Sequence, residues 1–516
     1  MSIISAISNF LEAYDVTYRQ VLVGGLVIYG TTLALYRLYF SPVSHIPGGL
    51  LSRLSMLYVR IMVTLGKLPD LCEDDYYNYG DIFLSAPDIV TISNPDDCRA
   101  VMGTYDFIKD KFYESFRLVD ETIFTTIDAE FNMLGRRLIG PAFTPASLQK
   151  MEPTIMECGL LAIKRKWDKL IGENGREANV NFNTDFTLAT FDIISTLVYG
   201  KKFRALEKGE RTIVKWVEKY NWLAHIKAVI PSVAEFPLNL LCRPLLKNCK
   251  EFVGFTSTTV EQRREQIRQG EKVPYDLLQA LIDGEELEAR AKLTPSQVTA
   301  QSIELLGAAI YTTADTITWT LHYLMLYPEC YRKAVDEVRS IFAPDHLIGY
   351  SEGRSRLPYI EACIYESLRI CAVSGFLLPR VVPPGGATFQ GYFIPAGMTI
   401  ALNIAGMNHH RSLWRDSKRF MPERFIERPD LKHQVMSFST GVRICPGRAL
   451  AWVKIMTILS NLLKDYDFSL PADAQYSPDR TDTNGLPVAM PRTHSVTVGP
   501  KHPERDCILV VTKRLL

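Results

Sequence analysis

Residues 438–447 read Phe438-Ser-Thr-Gly-Val-Arg-Ile-Cys-Pro-Gly447 and place one cysteine in a setting that suits a metal-bound thiolate. A thiolate is the form of cysteine that ligates metal, and it persists in electropositive surroundings. Arg443 supplies a fixed positive charge two residues before Cys445, and its guanidinium can also bind a carboxylate. Gly441 permits the positive φ of a tight turn. The stretch predicts Cys445 as a metal ligand, and the alternative is a buried structural cysteine.

A helix is expected directly after this stretch. Pro446 suits the first helical position, where its missing N–H costs nothing, and Gly447 lets a flat ligand approach the backbone. The apolar run from Ala449 to Leu463 predicts a long buried helix. The positive end of its dipole would then point at the sulfur of Cys445.

The spacing Phe-x-x-Gly-x-Arg-x-Cys-x-Gly resembles the haem-binding signature of the cytochrome P450 family, in which a cysteine thiolate ligates the haem iron. The resemblance extends from about residue 45 to about residue 515 and is densest in the C-terminal half. It implies haem b as the cofactor and Cys445 as its axial ligand. It also implies that Arg443 pairs with a haem propionate and that Phe438 and Gly447 contact the ring.

Two further stretches resemble the same family. Glu366-Ser-Leu-Arg369 lies within the helical pattern Tyr359–Ile370, where Glu and Arg three residues apart share a face and can pair. Pro422-Glu-Arg-Phe425 is similar to the family segment whose arginine joins that pair. The resemblance implies a buried structural triad of Glu366, Arg369 and Arg424. A solvated surface bridge is the alternative for the Glu–Arg pair alone.

The segment from Glu304 to Pro328 is mostly apolar and ends at a proline, which predicts a long helix. It resembles the oxygen-binding helix of the family, with Ala308-Ala-Ile-Tyr-Thr-Thr313 at the characteristic motif. The resemblance implies that Thr312 hydrogen-bonds dioxygen and passes protons to it. The alternative is a hydroxyl that bonds back to a carbonyl of its own helix.

This segment departs from the family pattern at the acid. Tyr311 occupies the usual acid position, and Ala309 occupies the usual glycine position. A phenol is a weaker acid than a carboxyl group by about six pKa units. Asp315 follows four residues later on the same face as Tyr311. The expected proton relay therefore runs through the Tyr311 hydroxyl or through Asp315 and water.

Two more arginines resemble propionate contacts of the family. Residues 128–143 are similar to its propionate-binding helix, with Arg136 at the arginine position and Asn132 where Trp or His is usual. The Asn132 amide can still donate a hydrogen bond to a carboxylate. Arg380, which follows the Glu–Arg helix, is the second expected contact.

The resemblance implies a fold class that is mainly α with a small β-rich lobe, the cytochrome P450 fold. Strand-like runs at Ile82–Ser93 and Gly391–Asn403 fit that lobe. A single catalytic domain is expected behind an N-terminal transmembrane anchor. The expected segments are a lumenal N-terminus at 1–19, the anchor at 20–40, a proline/glycine hinge at 41–49 and the haem-thiolate catalytic domain at 50–516.

The N-terminal segment predicts the location of the protein. Gln20 to Tyr36 carries no charge and is just long enough to span a bilayer as a helix. Most nearby basic residues follow this segment, which places the catalytic domain in the cytoplasm. The arrangement resembles single-pass endoplasmic-reticulum enzymes of eukaryotes, and a fungal source is expected. Trp222–Leu241 is a second apolar stretch, which is either membrane-dipping surface or core.

Charge and cysteine content restrict the partners. The 58 Lys and Arg residues nearly balance the 57 Asp and Glu residues, and no basic cluster predicts a nucleic-acid partner. The ten cysteines fall at irregular spacings, which predicts reduced thiols and no second metal site. No flavin or nicotinamide fingerprint is present, so electrons are expected from an NADPH-cytochrome reductase, with cytochrome b5 as an optional donor. Lys109-Asp-Lys111 and Arg136-Arg137 are expected in its docking face.

The implied reaction is monooxygenation of an apolar small molecule with O2. A steroid, terpenoid or polyketide-like skeleton of secondary metabolism fits, and so does a long-chain fatty acid. Two other classes stay open: a haem-thiolate isomerase or dehydratase that does not use dioxygen, and a non-catalytic haem binder. The apolar side chains expected to line the substrate pocket are Phe112, Phe116, Phe124, Phe376 and Leu377.

Overall fold

The computed structural model describes residues 17–274, 276–283, 293–374, 377–494 and 497–514. Helices dominate, and the strands form small sheets, which confirms the expected fold class. The α-helices are Tyr18–Leu35, Leu50–Leu54, Met56–Thr64, Leu68–Tyr79, Pro95–Met102, Ala129–Ile139, Pro145–Ile155, Ala162–Asn174, Phe182–Tyr199, Ala205–Lys208, Thr212–Val229, Arg243–Arg268, Leu277–Asp283, Pro295–Leu326, Pro328–Ile341, Tyr350–Arg356, Pro358–Ile370, Ile404–Asn408, Arg424–Glu427, Arg448–Asp465 and Pro503–Asp506.

The longest of these helices, Pro295–Leu326, is called the central helix below. Its first turn has a capping box, because the Thr294 hydroxyl accepts from the Gln297 N–H and the Gln297 side chain accepts from the Thr294 N–H. It ends two residues before Pro328, whose ring disfavours a helical conformation in the preceding residue. The helix therefore begins earlier than the predicted Glu304 and ends close to the predicted position.

The C-terminal half of the central helix lies in the hydrophobic core. Its side chains are buried all round from Thr313 to Leu326, as expected for a helix enclosed by other elements. It packs against Phe182–Tyr199, Pro358–Ile370 and Arg448–Asp465. These contacts fix the helix firmly next to the segment that carries Cys445.

The principal sheet has four strands in the order Ile82–Ala86, Ile89–Ile92, Thr399–Leu402 and Leu378–Val381. The second and third strands are parallel, and the other neighbours are antiparallel. Each strand-like run expected from the sequence contains two strands separated by a turn. The remaining strands pair in smaller sheets: Glu177–Asn181, Ala387–Phe389, Tyr392–Ile394, Tyr466–Ser469, Arg492–His494, Val498–Pro500 and Ile508–Lys513.

An apolar helical segment precedes this body. Within Arg19–Phe40, a window of 18 residues has a mean hydropathy of 1.6, and none of that window is buried. By length and composition it can cross a membrane. Residues 1–16 of the expected lumenal segment lie outside the described residues.

Candidate functional site

The cysteine loop, residues 438–447, is held in one shape by its backbone. Gly441 has a φ of +67°, and a Cβ there would lie 2.0 Å from the carbonyl oxygen of Met102. No residue with a side chain fits this position. The Cys445 N–H donates to the Phe438 carbonyl at 3.0 Å and closes the loop on itself. The helix after the loop begins at Arg448 with Gly447 as its N-cap, so the expected place of Pro446 inside the helix was wrong.

Cys445 lies in a large internal cavity, whose lining includes Phe438, Gly447 and, from the central helix, Ala308, Ala309 and Thr312. The Cys445 side chain is exposed to this cavity. Its enclosure by the surrounding protein raises the pKa of the thiol, although the N–H groups of Gly447 and Arg448 and the charge of Arg136 act to lower it. The electropositive surroundings expected from the sequence are present, but burial outweighs them. Coordination to a metal ion deprotonates a thiol outright.

Four cations border one end of the cavity: Lys109, Arg136, Arg380 and Arg443. All three guanidinium nitrogens of Arg443 are buried without a hydrogen-bond partner, and the group lies 4.7 Å from the Tyr105 ring centroid. Burial lowers the pKa of Arg443 to about 10, and the nearby charge of Arg380 adds to this effect. Within the described ranges, no carboxylate forms a salt bridge with Arg443. A buried, unpaired guanidinium of this kind calls for an anion from outside the chain.

Lys109 was wrongly expected on an external docking face. It is 5% exposed, and its ammonium donates to the carbonyl oxygens of Phe124 at 2.6 Å and Ile123 at 3.3 Å. Its backbone pairs with that of Arg380 in an isolated β-bridge. This long-range pairing brings Lys109 into the cavity wall beside the arginines, where burial, followed by the charges of Arg380 and Arg443, lowers the pKa of its ammonium well below the ordinary value.

Arg380 and Asn132 are held by neighbouring groups. The Arg380 guanidinium donates to the Tyr113 hydroxyl at 3.0 Å and to the Pro379 carbonyl at 2.9 Å. The Asn132 amide donates to the Ile123 carbonyl at 2.7 Å and accepts from the Tyr105 hydroxyl at 3.1 Å. Asn132 thus braces the loop beside the cavity, and its bond to a propionate stays a prediction.

Thr312 lines the cavity, and its hydroxyl donates to the Ala308 carbonyl at 2.7 Å. This contact is the alternative that the sequence allowed, in which the hydroxyl donates to a carbonyl of its own helix. The hydroxyl oxygen retains lone pairs that can accept a hydrogen bond from a ligand. Ala308 and Ala309 line the same wall and present only methyl groups to it.

Tyr311 does not line the cavity. Its hydroxyl donates to the Glu218 carboxylate at 3.0 Å, and burial, followed by the charge of Glu218, raises the pKa of the phenol well above its ordinary value. The expectation that the Tyr311 hydroxyl relays protons directly to a ligand is not supported by this placement.

Asp315 is also outside the cavity wall, at 4% exposure. Its carboxyl accepts from the Asn183 amide at 3.2 Å and hydrogen-bonds the side chain of Thr497, which does line the cavity. Burial raises the pKa of Asp315 to about 7. Its expected link to the cavity therefore passes through a hydroxyl group of the protein.

The sequence reasoning missed two charged groups in the cavity wall. Lys454 is 1% exposed and donates from its ammonium to the Ala309 carbonyl at 3.0 Å, and burial lowers its pKa to about 7. Glu304 faces the cavity from the central helix, and burial raises the pKa of its carboxyl to about 7. Both are charged residues within apolar helical runs, and this pattern could have indicated from the sequence that they face a cavity.

Glu366, Arg369 and Arg424 meet in the core, away from the cavity. Arg369 donates two hydrogen bonds to the Glu366 carboxylate, at 2.8 Å and 2.9 Å, and Arg424 donates one at 3.0 Å. Glu366 and Arg369 are both 0% exposed. The structure brings together the three residues that the sequence motifs singled out.

The expected substrate-lining residues are brought together in part. Phe116 and Phe124 line the cavity and pack edge to face, with ring centroids 5.3 Å apart. Leu378 and Val373 contribute aliphatic surface. Phe112 packs against Phe116 behind this wall. Leu377 packs elsewhere, beside Cys72 and Tyr76, and Phe376 lies outside the described residues.

The family model "Cytochrome P450" matches residues 58–496. The chain belongs to the cytochrome P450 family. It is 41% identical over 480 residues to "Cytochrome P450 monooxygenase helB1" of Aspergillus fumigatus, covering 92% of this chain and 83% of that protein. It is 40% identical to "Cytochrome P450 monooxygenase helB2" of the same fungus, covering 95% and 97%.

A solved structure shows the same fold. The crystal structure of the cytochrome P450DA heme domain matches with a TM-score of 0.73 at 19% identity, covering 87% of this chain and 94% of that one. The chain is therefore a P450 monooxygenase whose cofactor is haem with a cysteine thiolate on the iron.

The residues of the cavity fit this cofactor. Of the ten cysteines, all of which lie in the described ranges, Cys445 is the one that lines the cavity. The unpaired guanidinium of Arg443, with Arg380, Arg136 and Lys109 nearby, supplies positive charge for two propionates. A Cβ on Gly447 would lie 3.9 Å from the Cys445 sulfur, so a glycine keeps this edge of the ligand site clear.

Proposed function

We propose that this protein is a membrane-anchored monooxygenase that inserts one oxygen atom into an apolar small molecule. A single observation supports the proposal: one cavity is lined by Cys445, by Ala308, Ala309 and Thr312 of the central helix, and by a cluster of phenylalanine and aliphatic side chains. When bound, the thiolate-ligated haem supplies the activation of dioxygen. The apolar wall binds the skeleton of the substrate and excludes bulk water from it.

The protein groups beside the wall can hold protons. The Thr312 oxygen can accept a hydrogen bond at the wall, and the Thr497 side chain connects the cavity to the Asp315 carboxyl. A carboxyl group with a pKa of about 7 is half protonated at neutral pH, which suits proton transfer in either direction. In this proposal Asp315 takes the role of proton reservoir through Thr497, and Tyr311 has no direct part.

Electrons are proposed to come from an NADPH-cytochrome reductase, with cytochrome b5 as an optional donor. An open surface depression reaches Cys445 and is bordered by Arg136, Arg354 and Arg448. These cations suit an acidic partner surface. Arg137, which was expected in this docking face together with Arg136, is exposed on the same helix.

A charge reversal tests the docking face. Arg137→Glu is expected to raise the reductase concentration needed for half-maximal turnover several-fold, with a larger effect at low salt. Arg268→Glu, an exposed arginine on another helix, is the matched control. Equal reductase dependence of the two variants would contradict this docking site.

The membrane anchor is proposed to be residues 20–40, with the hinge at 41–49 and the catalytic domain facing the cytoplasm from the endoplasmic reticulum. The exposed helix Arg19–Phe40 supports it. The second apolar stretch gives further support, because Trp222, Phe236 and Leu241 are 49%, 81% and 80% exposed. Exposed apolar side chains in such number suit a membrane surface. Alkaline extraction of membranes, which releases peripheral proteins, is expected to leave the full chain in the pellet.

Turnover with isotopic oxygen tests the reaction. Microsomes that contain the protein and a reductase are incubated with NADPH, ¹⁸O₂ and candidate steroids, terpenoids, polyketides and fatty acids. One labelled oxygen atom per product molecule is expected, together with dependence on NADPH. Conversion of a substrate without NADPH and without label would instead show the isomerase or dehydratase activity that the sequence left open.

A further inference from the structure

The apolar cavity has one polar wall that the haem does not explain. On the central helix, Gln301 and Glu304 both line the cavity, and Tyr220 from the helix Thr212–Val229 lies opposite them. The surrounding wall is formed by Phe116, Leu305 and other apolar residues. Polar groups placed in an apolar pocket usually set the orientation of the ligand.

Gln301 has a free donor. It is 4% exposed, and its amide oxygen accepts from the Ile123 N–H at 3.1 Å. Its amide nitrogen Nε2 is buried without a hydrogen-bond partner. A buried donor left unpaired costs free energy, so this group is poised for an acceptor that enters the cavity.

Glu304 has spare acceptor capacity. Its Oε2 atom accepts from the Tyr220 hydroxyl at 3.4 Å, but that hydroxyl lies closer to the Phe116 carbonyl, at 2.8 Å. Lys109 donates to two backbone carbonyls and, among the residues that the structure describes, forms no salt bridge with Glu304. Burial raises the pKa of the carboxyl to about 7, while the charge of Lys109 and the bond from Tyr220 act to lower it.

We propose that Glu304 and Gln301 form a subsite for a hydroxyl group of the substrate. A hydroxyl group can donate to the Glu304 carboxylate and accept from the Gln301 amide at the same time. A pure hydrocarbon leaves both groups unpaired, and a carboxylate has no proton to donate to Glu304. The substrate is therefore an apolar alcohol, and a long-chain fatty acid is disfavoured.

The position of the subsite separates it from the oxidised carbon. Glu304 precedes Thr312 by eight residues, which corresponds to about 12 Å along a helix. The hydroxyl group then binds at one end of the skeleton, and oxidation occurs towards the other end. The enzyme therefore acts after a reaction that has introduced an alcohol on the skeleton, or after one that has retained an alcohol already present there. This inference rests on the proposed function of the same cavity.

Ligands anchored on the iron test the subsite without knowledge of the substrate. The holoenzyme is titrated with 1-alkylimidazoles of about eight to about fourteen carbons, which bracket 12 Å, bearing a terminal hydroxyl or its methyl ether. Binding is read from the Soret shift on nitrogen coordination. At the matching length, the alcohol is expected to bind about tenfold to hundredfold more tightly than the ether, as for a hydrogen bond to a charged group.

Two variants and a control locate the effect. Glu304→Leu is expected to reduce the preference for the alcohol to less than about threefold, because Glu304 accepts the proton that only the alcohol can donate. Gln301→Leu is expected to weaken binding of the alcohol and of the ether alike, because the oxygen of either can accept from the Gln301 amide. The plain alkylimidazole, which can form neither hydrogen bond, is the reference ligand for every variant. Glu130→Gln, an exposed carboxylate outside the cavity, is expected to keep the full preference. The carbon monoxide spectrum of each variant checks that its haem pocket is intact.

Equal affinity of alcohol and ether for the wild type at every length overturns the subsite. If alcohol and ether bind equally but plain alkylimidazoles still bind, the hydroxyl subsite is refuted and the proposed oxidation of apolar molecules is unaffected. If no alkylimidazole binds a thiolate-ligated haem in this protein, the cavity does not accept apolar ligands over the iron. That result overturns the proposed function and the subsite together.

Discussion

Replacement of Glu366 by glutamine should destabilise the protein strongly. The Glu366 carboxylate is 0% exposed and receives hydrogen bonds from two guanidiniums and from the Met421 N–H. Glu366→Gln removes the negative charge and leaves two buried cations, Arg369 and Arg424, without their counter-ion. Loss of one partner from a buried ion pair costs about 3–5 kcal/mol.

An exposed pair with the same spacing gives the matched control. Glu265 and Arg268 are also three residues apart, with a separation of 2.9 Å, but their side chains are 49% and 62% exposed. Glu265→Gln is expected to lower the free energy of unfolding by at most about 1 kcal/mol, because solvent screens the pair. The two variants thus make the same chemical change in opposite environments.

Urea unfolding of the detergent-solubilised holoenzyme, followed by tryptophan fluorescence, measures both changes. The Arg369 guanidinium lies 5.2 Å from the Trp414 ring centroid, so one fluorophore lies beside the triad. If Glu366→Gln fails to accumulate with haem while Glu265→Gln expresses normally, that outcome also shows strong destabilisation by the loss of Glu366. Equal unfolding midpoints for the two variants would refute the account of the triad.

Two further changes test the cavity. Arg443→Met should release haem to apomyoglobin about tenfold faster than the wild type, because the variant lacks the buried guanidinium that serves as a counter-ion for a propionate. Arg137→Met, which replaces an exposed arginine, should release haem at the wild-type rate. Asp315→Asn should flatten the dependence of stability on pH. The folded pKa of Asp315, about 7, lies above its ordinary 3.8, so the wild type loses up to about 4 kcal/mol as pH rises from about 4 to 7. If the unfolding midpoints of the wild type and of Asp315→Asn fall equally as the pH rises over this range, the raised pKa of Asp315 is contradicted.

Local spacing allowed much of the site to be predicted. The cysteine loop depends on glycine at one position and on bonds within ten residues, so its motif already specifies its shape. The pairing of Glu366 with Arg369 follows from helical geometry. The extent of the Arg448–Asp465 helix follows from a mostly apolar run, Ala449–Leu463.

Long-range packing decided what the sequence could not show. Tyr311 and Asp315 share a helix face, but Glu218 and Asn183 lie on that side, and the cavity lies on another. The sequence predicts Lys109 as a surface charge, but its backbone pairs with that of Arg380, which lies far away in the sequence, and this pairing places it in the cavity wall. The periodicity of a helix gives which residues share a face, and only tertiary contacts give what that face meets.

The difference spectrum of the reduced protein with carbon monoxide tests the central claim most directly. If Cys445 ligates the iron, the wild type shows a Soret band at the position of thiolate-ligated haem, and Cys445→Ala lacks that band. Cys371→Ala, a buried cysteine outside the cavity wall, should keep it. A folded, haem-loaded wild type without the band, or a Cys445→Ala variant that retains it, would contradict the assignment of Cys445 as the iron ligand.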